Sequence, residues 1–280
     1  MKHLIGIFVC SAMATAAQAA DWKLVWSDEF TGRGLPDPHK WTYETGYVRN
    51  HERQFYTRAR PENARLQDGR LIIEARKERY RAPSAGAKAR SEGRSRRGRD
   101  RQDAEYTSAS LTTQGKAAWT YGRIEVRAKL PSGRGTWPAI WTLGTEIPEV
   151  GWPACGEIDI MEFVGFEPGV VHANIHTQKY NHSTNTGKGD RITIADASEA
   201  FHVYAIEWDP RKIDFFVDQK RYFTYRNEGS GRGAWPYDRP QYLILNLAIG
   251  GDWGGQKGID DASFPQRYEI DYVRVYQRAP

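Results

Sequence analysis

Three acids stand within six residues at Gly156-Glu157-Ile158-Asp159-Ile160-Met161-Glu162, in an otherwise apolar, β-branched run bounded by Trp152-Pro153 on one side and Gly165 on the other. Such a run reads as a strand. Like charges crowded on one sheet face oppose folding, so their presence suits a site that needs one carboxylate ionised and another protonated. Crowded carboxylates push each other's proton affinities apart, which lets one act as nucleophile and the other as general acid near neutrality. Displacement at a sugar's anomeric carbon with retention needs two such carboxyls roughly 5–5.5 Å apart. Residues two pleats apart on one face are separated by roughly 6–7 Å, and side-chain lean closes that gap, so the spacing favours retention over inversion. The plainer reading is a solvated strand face carrying surface charge.

A regular strand cannot deliver this arrangement. Side chains alternate faces, so Glu157 and Asp159 share a side while Glu162, five residues after Glu157, takes the other. One extra residue in the ladder, a β-bulge near Ile160-Met161, restores the parity. All three acids then line one face, with Ile158 and one of Ile160 or Met161 turned into the core.

The elements around this strand read as β throughout. Gly122 to Leu130 alternates Ile124, Val126, Ala128 and Leu130 against Arg123, Glu125, Arg127 and Lys129. Further strands are expected at Trp22 to Trp26, Leu71 to Arg76 after the turn Gln67-Asp68-Gly69-Arg70, Tyr106 to Thr113, Val170 to Thr177, Phe201 to Trp208, Ile213 to Val217, Tyr222 to Tyr225, Tyr242 to Ile249 and Tyr268 to Tyr276. No segment sustains a helical period. Many short strands divided by turns point to an all-β sandwich or barrel, with neither linker nor repeat to split it.

The chain opens Met1-Lys2-His3, runs apolar from Leu4 to Val9 and on to Ala14, and reaches Ala17-Gln18-Ala19. That pattern is a secretory signal, residues 1–19, rather than a membrane span, with cleavage after Ala19, or alternatively Ala20. Residues 20–280 then form one domain, and a secreted or periplasmic protein with no membrane attachment is expected. Loss of Cys10 leaves Cys155 alone, so no intramolecular disulfide forms and stability rests on a core. Ten Trp, fifteen Tyr and ten Phe exceed ordinary core filling and suggest flat ligands such as sugar rings, although most of them serve the core. The net charge of +5 is local: Arg79 to Arg101 holds nine basic residues against Glu92 and Asp100, a balance of +7, which leaves about −2 elsewhere. Its Gly, Ser, Ala and Arg content reads as a mobile insertion, and without interleaved aromatics beyond Tyr80 it makes a poor nucleic-acid surface.

These residues resemble glycoside hydrolase family 16. Glu157-Ile158-Asp159-Ile160-Met161-Glu162 is similar to the bulged ExDxxE signature of that family. Thr107-Ser108-Ala109, Lys116 to Glu125, Gly133-Arg134-Gly135-Thr136-Trp137-Pro138-Ala139-Ile140-Trp141, Asn246 to Gly255 and Asp271 to Tyr276 resemble its laminarinase (endo-1,3-β-glucanase) branch, so the similarity runs from about Trp22 to Gln277. The Arg-rich insertion departs from it. The resemblance implies a β-jelly-roll sandwich of two curved antiparallel sheets, concanavalin-like, and a monomer that cuts internal β-1,3 linkages of laminarin-type β-glucan with no catalytic cofactor. It makes Glu157 the nucleophile, Glu162 the general acid/base and Asp159 the partner that separates the two titrations. It places Trp137, Trp141 and Trp152 along a cleft, where an indole offers an apolar face and an N–H, and suggests Asn50, Glu52, Arg53, His176 and Gln256 for sugar hydroxyls. His172, His182 and His202 have no stronger claim, and no His/Cys/Asp cluster shows transition-metal spacing. A structural calcium remote from the cleft would take backbone oxygens of Glu29 and Gly69 and the side chain of Asp271. A mixed-linkage β-1,3-1,4-glucanase and a transglycosylase are alternatives within the family. A non-catalytic glucan-binding module is the alternative outside enzymes, disfavoured because binding needs no crowded acids.

Overall fold

The alternation of residues 122–130 carries through to packing: Ile124, Val126, Ala128 and Leu130 are buried, while Arg123, Glu125, Arg127 and Lys129 are half-exposed. The computed structural model of the protein describes residues 22–82 and 103–278. The signal segment, residues 1–19, and residues 83–101 of the Arg-rich insertion lie outside the described residues.

One sheet contains β1 (Trp22–Asp28), β3 (Gln54–Tyr56), β4 (Ala64–Gln67), β5 (Arg70–Arg81), β6 (Asp103–Ser108), β8 (Gly122–Lys129), β13 (His202–Asp209), β14 (Lys212–Val217), β15 (Lys220–Arg226) and β17 (Gln266–Arg278). The other contains β2 (Thr42–Tyr43), β7 (Ser110–Thr112), β9 (Thr136–Gly144), β10 (Glu157–Phe163), β11 (Val170–His176), β12 (Lys188–Thr193) and β16 (Gln241–Ile249), in the order β12-β11-β10-β9-β16-β7-β2. Two separate sheets favour the sandwich over the barrel. Pairing is antiparallel except between β3 and β6, which run parallel. The α-helices among the described residues are single turns, α1 (Ile147–Val150) and α2 (Gly251–Gly254).

Two expectations need correction. Tyr106 to Thr113 is not one strand: the ladder breaks at Ala109, and β6 and β7 join different sheets. The break lets one continuous apolar stretch serve both layers. β12, absent from the sequence reading, is an edge strand whose residues are exposed except Ile192, so it carries no apolar alternation to read.

The main core lies between the sheets and takes Ile158, Ile160, Met161 and Phe163 from β10, Ile175 from β11 and Tyr204, Ile206 and Trp208 from β13. Deep burial of this kind contributes about 1.5–3 kcal/mol per large apolar side chain. A smaller cluster of Ala139, Trp141, Leu143, Cys155, Tyr242 and Ile244 covers the other face of β9 and β16, so all nine residues of β16 are buried. This double cover holds the sheet's centre rigid at the strand beside β10.

Gly156 sits where the chain turns into β10. Its φ is +80°, and a Cβ there would lie 2.7 Å from Pro236 Cγ and 3.1 Å from the Tyr237 ring. Only glycine meets both demands without strain, and Glu157 inherits its starting direction from that turn.

Candidate active site

The expected bulge is present. Asp159 pairs with Asn174 and Glu162 with His172 across β11, so two steps on β11 match three on β10, and the ladder to β9 shifts between Asp159 and Met161. The extra residue puts both Ile160 and Met161 into the core, not one of them, because a bulge sends two consecutive side chains to the same side. Glu157, Asp159 and Glu162 stand opposite Leu143, Trp141 and Ala139, alternate residues of β9, and therefore share a face.

That register corrects the spacing. The roughly 6–7 Å interval separates each glutamate from Asp159. Glu157 and Glu162 are four β9 residues apart, roughly 13 Å along the backbone at ~3.3 Å per residue, with Asp159 between them, and the Glu162 charge still reaches the Glu157 carboxyl.

Each glutamate is anchored by an indole. Trp152 Nε1 donates to Glu157 Oε2 at 3.0 Å, and Trp137 Nε1 donates to Glu162 Oε1 at 3.0 Å. Asn174 Nδ2 donates to the other oxygen of Glu162 at 2.9 Å. His176, directly opposite Glu157, puts Nε2 3.3 Å from Asp159 Oδ2 and 3.7 Å from Glu157 Oε1. Tyr237 donates its hydroxyl to the backbone carbonyls of Glu157 at 2.9 Å and His176 at 3.1 Å, which ties the two strands together at the nucleophile position.

Burial is the chief cause of the electrostatic shifts, with crowding second. Desolvation lifts the Glu157 carboxyl to about 8, and the neighbouring Asp159 adds to this while the His176 imidazole pulls the other way. Asp159, 3% exposed, is held well above the usual carboxylate range by desolvation, then by Glu162. The two acids titrate as one unit. A proton residing on Asp159 removes a like charge from beside Glu157 and leaves Trp152 and His176 to support the ionised nucleophile.

The remaining predicted residues divide. Trp152 is exposed and Trp137 half-buried, with the Trp137 ring edge-on to Trp253 at 5.6 Å. Trp141 is buried: its Nε1 donates to Asn246 Oδ1 at 2.7 Å and the Arg49 guanidinium lies 4.8 Å over its ring, so it supports Arg49 instead of offering an open face. Glu52 is buried, accepts from Gln54 Nε2 at 2.7 Å and has its carboxyl raised by desolvation. Asn50 lies in the left-handed region at φ 53° and accepts through its carbonyl from Asp252 N. Arg53 pairs with Glu105 at 3.2 Å and, with His51, Tyr106, Asp252 and Asp261, lines a cavity of about 460 Å³. Gln256 donates to the Asp252 carbonyl at 3.2 Å, on the same α2 loop.

Asn174, Tyr237 and Arg49 were not anticipated. The period-two pattern His172, Ala173, Asn174, Ile175, His176 places Asn174 on the acids' face, a signal present in the sequence. Nothing local points to Arg49 or Tyr237, whose contacts are long-range. No short ligand spacing marks a metal site in the sequence, but in space one donor atom each from Glu157, Asp159 and His176 lies within 4.8 Å of the others. Two adjacent strands make this cluster, so it has no signature of short ligand spacing.

The three calcium positions converge through register. Asp28 pairs with Val273, Leu71 pairs with Ile270, and the ladder between β17 and β8 shifts at Asp271, which brings Glu29, Gly69 and Asp271 to one edge. The Glu29 carboxylate is held by Arg274 at 2.8 and 3.0 Å, and Asp271 pairs with Arg127. The Asp271 carboxylate is therefore open to an ion only in competition with Arg127.

The model of the glycosyl hydrolases family 16 matches residues 51–274. A β-glucanase of Rhodothermus marinus is 50% identical over 99% of this chain and 92% of its own length. The crystal structure of the laminarinase from Rhodothermus marinus superposes with a TM-score of 0.83 at 50% identity, covering 94% of this chain and 100% of that one. A Glu-to-Ser variant of a non-specific endo-β-1,3(4)-glucanase, co-crystallised with 1,3-β-D-cellotriosyl-glucose, superposes with a TM-score of 0.83 at 47% identity over 93% of this chain and 97% of that one.

Proposed function

This chain belongs to glycosyl hydrolase family 16, and from that premise we propose how it acts. It is an endo-β-1,3-glucanase of the laminarinase type that hydrolyses internal β-1,3-glucosidic bonds of β-glucan. The observation that carries the reading is a pair of glutamates on one face of β10, each anchored by an indole N–H, with a buried aspartate between them.

The reaction runs with retention in two displacements. Glu162 gives its proton to the glycosidic oxygen as the Glu157 carboxylate attacks the anomeric carbon, which leaves a glycosyl ester on Glu157. Glu162, now a base, takes a proton from water, the water oxygen attacks the same carbon, and Glu157 is released. Trp152 and Trp137 hold the two carboxyls in the planes these steps require, and preorganisation of this kind is a large part of catalytic power.

His176 acts on the nucleophile as well as standing near the sugar. Its imidazole opposes the upward shift of Glu157, so His176→Gln is expected to raise the Glu157 carboxyl further. Attack needs the ionised form, so the acid limb of the kcat/KM profile on laminarin moves to higher pH. A profile that keeps its acid limb, with only KM changed, would restrict His176 to sugar binding.

A mixed-linkage preference is the second reading, favoured by the likeness to a non-specific endo-β-1,3(4)-glucanase that is 47% identical to this chain. Reducing-end release on laminarin, lichenan, agarose and xyloglucan separates the readings. Rapid oligosaccharide production from laminarin supports the first, and equal rates on lichenan the second. Binding of laminarin without release from any substrate would leave only a glucan-binding module.

The signal-like residues 1–19 support export from the cytoplasm and the family likeness supports a monomer, and fractionation with sizing of the exported product tests both. A structural calcium would be held by backbone oxygens of Glu29 and Gly69 with Asp271, clipping β1, the β4–β5 turn and β17. An ion that binds only the folded form adds stability by mass action, so EGTA is expected to lower Tm by several degrees, restored by calcium. An unchanged Tm would remove the ion from the proposal.

A further inference from the structure

We propose that Glu157, Asp159 and His176 form a binding site for one divalent transition ion of zinc's class, and that its occupancy blocks hydrolysis. Only the block rests on the nucleophile assignment above; the site itself does not.

The geometry is close to what such an ion requires. Bonds of about 2.0–2.1 Å to imidazole nitrogen and carboxylate oxygen at tetrahedral angles set neighbouring donors about 3.3–3.4 Å apart. His176 Nε2 stands 3.3 Å from Asp159 Oδ2 and 3.7 Å from Glu157 Oε1. The three donor atoms all lie within 4.8 Å of one another, so closing them onto one ion takes side-chain shifts of up to about an ångström.

Two features mark the group as more than an acidic cluster. Asp159 is 3% exposed, and its Oδ2 is buried without a hydrogen-bond partner while aimed at the imidazole. An uncompensated buried oxygen of this kind costs free energy, which an ion would recover. The ligands also sit on adjacent strands, with the Tyr237 hydroxyl bonded to both backbones and Trp152 holding the second oxygen of Glu157. Rigid placement raises affinity because less order must be imposed on binding.

The donor set selects the ion. Calcium and magnesium want six or more oxygens, whereas one imidazole with two carboxylates suits zinc, copper, nickel or cobalt. An ion bonded to Glu157 Oε1 withdraws the lone pair needed for attack and fills the space the anomeric carbon would enter. No bond of the substrate changes, so the block is reversible by chelation.

Cobalt(II) is the probe, because its visible bands intensify in four- or five-coordinate sites. Titration of the full chain with cobalt chloride is expected to raise these bands to saturation at one ion per chain, and zinc chloride is expected to bleach them. His176→Gln and Asp159→Asn should each lose the bands. His202→Asn should keep them, since His202 lies between Asp196 and Asp218, away from the acids. Zinc should stop laminarin hydrolysis over the same concentration range and EDTA restore it. Bands that survive in both site variants, or an absence of bands and of zinc inhibition at millimolar ion, would overturn the proposal. Bands dependent on His176 with undiminished hydrolysis would keep the ion site, overturn the block and count against Glu157 as nucleophile.

Discussion

Glu157→Ser is expected to lower kcat on laminarin by roughly 10⁴- to 10⁶-fold, the loss typical when a covalent nucleophile is removed, while the folded protein still binds the polysaccharide. The serine hydroxyl is too short to reach the anomeric carbon and lacks the charge that the attack consumes. Loss of activity alone would not separate a missing nucleophile from a damaged fold, and two further results do. A small anion such as azide, filling the space left by the carboxylate, should attack from the nucleophile's side and yield the α-glycosyl azide from a β-linked activated substrate. The second result concerns stability. Burial, with Asp159 beside it, pushes the Glu157 carboxyl up from 4.5 to about 8. Between those values the native state binds more protons than the unfolded chain, so the group's contribution is full below about 4.5 and falls as pH rises through about 8. Ionising the buried acid in place therefore costs folding stability at alkaline pH. Glu157→Gln escapes that cost, so its Tm should match or fall below wild type near pH 4 and exceed it near pH 9. An inactive variant that is more stable than its parent above neutrality would locate the loss in chemistry. A variant less stable at every pH, with no azide product, would sink the assignment.

That stability argument depends on burial, which was the least legible property of the site. The three acids can be read from their spacing because a strand has a fixed period of two, and the failed parity of Glu162 implies the bulge. The same period made Gly122–Lys129 readable. What the period cannot supply is the register between strands. His172, Asn174 and His176 share a face by alternation, but which of them meets Glu157 depends on where the bulge falls, and the structure sets His176 against Glu157 and His172 against Glu162. Asn174 then reaches Glu162 diagonally. Arg49 over Trp141 and Tyr237 under β10 join positions far apart in the chain, and no local pattern encodes such contacts. β12 was invisible for a different reason: an exposed edge strand needs only backbone hydrogen bonds on one side, so its side chains are free to be polar. Tyr106 to Thr113 looked like one strand because both halves are buried, and burial does not say in which sheet.

Glu162→Gln should divide substrates by their leaving groups. General acid assistance is worth roughly 10²–10⁴-fold, and that worth is greatest where the departing oxygen is a poor leaving group. Hydrolysis of laminarin, whose leaving group is a sugar alkoxide, should fall by about that factor or more, whereas an aryl β-glucoside oligomer with an acidic phenol should form the glycosyl ester at close to the wild-type rate. The second step then limits, because the variant has no base to draw a proton from water, and a burst of phenol followed by a slow steady state is the expected trace. Azide needs no base, so it should speed turnover and, attacking the ester from the face opposite Glu157, give the β-glycosyl azide, the opposite stereochemistry to the Glu157→Ser product. The surrounding contacts make the substitution a change of pairing as well as of acidity. Trp137 Nε1 and Asn174 Nδ2 each donate to one oxygen of Glu162. The amide of glutamine keeps one acceptor for these two donors and sets its NH₂ against the other, so the side chain can hold its plane while losing its acidity. Asn174→Ala placed beside Glu162→Gln removes the opposed donor without adding another acid near the cleaved bond. If that pair recovers laminarin hydrolysis, Glu162 is a positioning residue and the acid lies elsewhere; if it recovers only stability, the proton delivered to the leaving oxygen comes from Glu162.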